Sequence, residues 1–169
     1  MKKPNALKNT LLIAALLCTV KLALDIFFII NNHITFYTAV VGNLGKEVLP
    51  IGIKMFFIAE SLLATAPLGI AAAINYKKED MSQKRGISTV IVTGIFYAVY
   101  ILGFPLIKSI LFSLTSRFYG DKILSYVISL NGTLGVTDFL VHAAAVMMIS
   151  CAAVEIYGGE KKSLPEDIG

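Results

Sequence analysis

The chain has 169 residues, 56% of them hydrophobic and 15% charged, with a net charge of +4 and a mean hydropathy of +0.76. A soluble domain of this length keeps about a quarter of its residues charged, so these proportions exclude an ordinary soluble globule. No basic stripe with interleaved aromatics is present to hold nucleic acid, and two isolated cysteines, Cys18 and Cys151, make neither a disulfide framework nor a zinc site.

Apolar residues gather in four stretches, at 9–30, 51–76, 87–107 and 134–157, each near the ~20 residues of helix that cross a bilayer. The expected architecture is an all-α integral membrane domain over residues 1–169. It has four transmembrane helices, a loop at 77–86 and outer segments at 31–50 and 108–133. The opening "MKKPNALKNTLLIAALLC" has a positive head and an apolar run. That run is too long for a signal-peptide core and lacks a small-residue cleavage site, so it is read as a retained first span.

Lysine and arginine set the expected orientation. Lys2, Lys3 and Lys8 precede span one, the 77–86 loop carries Lys77, Lys78, Lys84 and Arg85, and Lys161 and Lys162 follow span four. The opposite side holds Lys46, Lys108, Arg117 and Lys122. The bias places both termini and the 77–86 loop in the cytoplasm. The same six residues (Lys77, Lys78, Lys84, Arg85, Lys161 and Lys162) are candidates for docking a soluble partner.

Pro50 opens span two without loss of a needed hydrogen bond. Pro67 is expected to kink that span, with Thr65 near the freed carbonyl, and Pro105 to bend or end span three. Gly69/Ala73, Gly94/Ala98 and Ala14/Cys18 are small pairs at four-residue spacing that allow close helix approach. In "GDKILSYVISL", Ile123, Leu124, Val127 and Ile128 recur at helical spacing, which predicts a short helix lying at the outer membrane interface. The apolar, aromatic "HITFYTAVVGNLGKEVLP" is expected to rest on the bilayer or on the helix ends.

Several ionisable residues fall inside spans: Lys21, Asp25, Lys54, Glu60, Asp138, His142 and Glu155. Lys54 and Glu155 lie near span ends and are expected to reach the interface. A rise of 1.5 Å per residue puts Asp25 about 9 Å, Glu60 about 13 Å, His142 about 12 Å and Lys21 about 15 Å below the outer surface. Asp138 is shallower. Each charge left facing lipid would cost about 2.5 kcal/mol or more at mid-bilayer. Lys21, Asp25, Glu60, Asp138 and His142 are therefore expected to turn inward as one network. Lys21 would pair with Asp25 or Glu60, and Asp138 with His142, while span three offers the hydroxyls of Tyr97 and Tyr100. Such a network either fixes the packing or serves as a responsive element, His142 being the group suited to titrate near neutrality.

No catalytic constellation is expected. Asp25 and Asp138 are two outer-half acids like those of lipoprotein signal peptidases, but that family's asparagine motifs are missing. No cofactor or metal is implied.

In size, cytoplasmic termini and structured outer segments, the chain resembles the small four-span inner-membrane proteins of bacterial defence and immunity loci. The membrane subunit of the Kiwa anti-phage system is one such type. That resemblance implies an inner-membrane sensor of phage attack working with a cytosolic DNA-binding partner. The segment "TAPLGIAAAINYKK" (65–78) is similar to the Thr-Ala-Pro span and basic loop of immunity proteins against pore-forming colicins. This second resemblance implies protection from a toxin by intramembrane contact. Neither assigns a role to a particular residue. The expectation is a non-enzymatic, homo-oligomeric inner-membrane subunit, in contact with lipids and a cytosolic protein and not with nucleic acid. A small oligomeric channel lined by Lys21, Asp25, Glu60 and His142 is the remaining alternative.

Overall fold

The computed structural model describes residues 2–31 and 50–163. Among the described residues there are five helices, α1 (Asn5–Asn31), α2 (Ile51–Lys77), α3 (Gln83–Ala98), α4 (Phe104–Val136) and α5 (Asp138–Ser163), with a π-helical turn at Val99–Gly103 between α3 and α4. Among the described residues there is no strand, only one isolated bridge between Lys2 and Asp80. The expected segment at 32–49 and the tail at 164–169 lie outside the described residues.

Among the described residues, three helical stretches are long and apolar enough to cross a membrane: Asn5–Ile30, Ile51–Lys77 and the run Gln83–Gly158. The last, at 76 residues, would measure about 114 Å if straight, far more than the ~30 Å apolar thickness of a bilayer. It is interrupted three times. Pro105 cannot donate a helical hydrogen bond, and the π-turn immediately before it takes up the mismatch. Gly120 (φ 81°, ψ 171°) holds a conformation open essentially to glycine alone and breaks α4 in two. Thr137 separates α4 from α5.

The sequence pattern predicts one short helix within the outer segment 108–133. Helix instead fills that whole segment. Leu111 and Phe112 before Gly120, and Ile123, Tyr126, Val127, Leu130 and Leu134 after it, pack into one cluster with Ile29 of α1 and with Ile53 and Phe57 of α2. The chain thus folds back at Gly120 as a helical hairpin seated on those two helices. Of the apolar positions named for it, Val127 is buried and Ile123 packs against the cluster, whereas Ile128 faces outward.

The helices are apolar nearly all round, and large residues such as Leu16, Leu63, Ile95, Leu106 and Val146 face outward. Packing follows narrow seams. On α1 the buried positions are Leu7, Leu11, Ala14, Cys18, Lys21, Asp25 and Ile29. That three–four spacing is the mark of helices wrapped closely against neighbours. Lys21 and Asp25 are seam residues. Cys18 meets Gly69 of α2, where an added Cβ would lie 3.2 Å from the Cys18 Cβ. Gly94 has open space around it, so it makes no close approach among the described residues. Pro67 stands inside an unbroken α2, and Thr65 donates to the Ser61 carbonyl at 2.6 Å.

Gly86 is where α3 meets α5. A Cβ there would stand 2.7 Å from the Ala152 carbonyl oxygen and 3.1 Å from the Ile156 nitrogen. Both are backbone atoms that cannot swing aside. Gly86→Ala is expected to cost about 1–3 kcal/mol, as overpacking does, in unfolding measured in mixed micelles. Gly94→Ala, with free space, should stay within about 0.5 kcal/mol of wild type.

Candidate functional site

Two buried charged clusters occupy opposite ends of the bundle. The first is centred on Lys21. Its ammonium has three protons to donate and three acceptors around it: Asp25 Oδ2 at 2.7 Å, Asp138 Oδ1 at 3.0 Å and Thr137 Oγ1 at 3.1 Å. The Thr137 hydroxyl in turn lies 2.7 Å from both Asp25 Oδ1 and the Leu134 carbonyl oxygen, to either of which it can donate. Lys21 is 2% exposed and Asp25 is fully buried. A lysine four residues before an aspartate is the weaker order for a helical pair. Here two groups from the α4–α5 junction complete the set.

Beside it, Glu60 Oε1 of α2 meets Lys108 Nζ of α4 at 2.6 Å. Glu60 Oε2 is buried and has no hydrogen-bond partner among the described residues. Glu60 lines a chamber with Lys21, Asp25, Tyr100, Lys108 and Asp138. Its volume of about 10 Å³ is roughly that of a single water. Three carboxylates face two ammonium groups, a formal charge of −1. Among the described residues no group of side chains is arranged to hold a metal ion.

The sequence places Lys21, Asp25, Glu60, Asp138 and His142 in one network. Four of the five share this cluster, with two changes of partner. Lys21 does not pair with Glu60, because Lys108, read as an outer-loop charge, takes that carboxylate. His142 is bonded to Tyr97, with the hydroxyl 2.7 Å from Nδ1 and the rings edge to face, so its partner is not Asp138. Lys108 and Thr137 were the residues the sequence did not offer. The signal for Lys108 was present: Ile107, Ile110, Leu111 and Leu114 continue the helical spacing past Pro105.

The second cluster lies at the other end. Lys3 is buried, pairs with Glu155 of α5 and donates to the Asn75 carbonyl at 2.7 Å. Asn75 Nδ2 donates to Thr89 Oγ1 at 3.0 Å. Arg85 stands 3.7 Å from Glu155 and donates to the Asp80 carbonyl at 2.7 Å. The Lys3 amide donates to the Glu79 carbonyl at 2.6 Å. Glu155 is expected from sequence to reach toward the interface, yet it is only 3% exposed. Lys3 comes to it, so the charge is neutralised in place. Lys54, the other residue expected to reach outward, is half-buried.

Of the docking candidates, Lys77, Lys78 and Lys84 are exposed, whereas Arg85 is engaged as described. Lys161 and Lys162 stand in the final turn of α5, with their side chains outside the described residues.

No family model matches the chain, and no curated protein or solved structure matches it.

Proposed function

We propose that this chain is a non-enzymatic, four-span subunit of the bacterial inner membrane, with both termini cytoplasmic. In this reading it registers disturbance of the membrane, such as phage attack, and passes it to a cytosolic protein. The observation that supports this reading is the way the α4 hairpin is anchored. Lys108 on its first leg is held by Glu60, and Thr137 with Asp138 at the foot of its second leg are held by Lys21 and Asp25. Movement of the hairpin therefore has to break buried charge pairs, which gives a two-state element in place of a compliant one.

The second cluster supports the other half of the reading. It ties the residues before α1, the turn at 78–82 and the far end of α5. Helices α1 and α5 reach both clusters, so a change at the hairpin has a rigid route to the exposed Lys77, Lys78 and Lys84.

Tagged protein would be recovered in gentle detergent, before and after phage adsorption, and analysed by native mass spectrometry. The expected result is a homo-oligomer carrying a soluble protein in fixed ratio, with that ratio changed by the challenge. Lys108→Met, which frees one leg, should give the challenged ratio without the challenge. A bare protein that is indifferent to challenge would overturn the proposal in favour of a toxin-immunity or channel role.

A further inference from the structure

Between α1 and the junction of α4 with α5 a groove of about 440 Å³ opens on the outside of the bundle. This is within the range of small-ligand sites. Val20, Leu24, Val136 and Phe139 form its outward-facing rim, while Thr133, Thr137 and Leu140 lie deeper, each less than one-tenth exposed. The two hydroxyls are already committed. Thr133 donates to the Ser129 carbonyl at 3.1 Å, and Thr137 belongs to the Lys21–Asp25 cluster.

These facts narrow the occupant. Among the described residues the lining side chains offer no free hydrogen-bond donor, so the desolvation of a polar ligand would go largely uncompensated. A helix about 10 Å across would fill this volume with roughly one turn, too little to seat a second copy of the chain. A slender apolar chain suits both the shape and the lining. The rim belongs to the apolar outer surface, where the hydrocarbon of a bilayer would lie.

We propose that the groove is a binding site for a single lipid acyl chain, inserted from the bilayer and packed against Thr137. The site rests on the membrane reading above and gives it a stimulus. Thr137 is at once a wall of the groove and a ligand of Lys21, at the junction where the hairpin's second leg meets α5. A chain that withdraws when lipid packing is disturbed leaves that junction unsupported on one side.

The test is photocrosslinking of the wild-type protein in phosphatidylcholine bilayers carrying a diazirine on the acyl chain, with adducts mapped by peptide mass spectrometry. Adducts are expected on Thr133 and Leu140, in addition to those on outward residues such as Ile95. Val136→Trp, which obstructs the mouth with a residue type the chain lacks, should remove most of the deep adducts and leave those at Ile95. Adducts confined to outward residues in the wild type would overturn the proposal, as would deep adducts unchanged by Val136→Trp. The map reads occupancy and not signalling, so a protein that binds the chain but recruits no partner would fail the functional reading alone.

Discussion

Lys21→Met is expected to destabilise the protein by about 3–5 kcal/mol, the usual cost of removing one partner from a buried ion pair. The effect should be large because Lys21 serves two carboxylates and a hydroxyl at once. Without it, fully buried Asp25 keeps Thr137 as its side-chain partner among the described residues. Equilibrium unfolding in mixed micelles checks the magnitude. Asp25→Asn combined with Lys21→Met should recover much of the loss, since it removes the stranded charge. Lys54→Met, outside either cluster, is expected to stay within about 0.5 kcal/mol of wild type. If Lys21→Met were equally mild, the cluster would not be the anchor of the hairpin.

Glu155→Ala should have a comparable cost, about 3–5 kcal/mol, with a different footprint. Lys3 would be left buried with the Asn75 carbonyl as its remaining acceptor. The loss should show as faster amide exchange at Lys3, whose amide is bonded to Glu79, and in the neighbouring turn at 78–82. Exchange around Thr137 should be unchanged. Opening that spread to both ends together would mean the clusters are not separable units.

The helical character of the chain, with runs long and apolar enough to cross a membrane, was legible because long apolar runs have few other uses. The inward placement of Lys21, Asp25 and Glu60 was also legible, since a charge on a lipid-facing surface is so costly. Partner choice was not. Lys21–Glu60 and Lys21–Asp25 are equally reasonable on depth alone, and the deciding residue, Lys108, stood in a segment read as an outer loop. Its helix continues past Pro105 through a π-turn, a device that leaves little trace in hydropathy. The burial of Glu155 was not legible for a related reason. A position near a span end says nothing of an N-terminal segment that folds back to deliver a lysine. The seam on α1, by contrast, could have been drawn in advance, because Leu7, Leu11, Ala14 and Cys18 extend in register to Lys21 and Asp25.

The junction of Lys3 with Glu155 also constrains how the molecule comes to be made. These residues are 152 positions apart, and at ~5–20 residues per second the first emerges about 8–30 s before the second. Until then Lys3 is without its carboxylate partner. Lys21 is served sooner, since Asp25 is one turn away and accompanies it as a provisional counter-ion. Asp138 joins only when the last helix arrives. Synthesis of the final helix therefore closes both ends of the bundle, and a chain stopped before residue 138 would hold its hairpin through Lys108 and Thr137 but without Asp138.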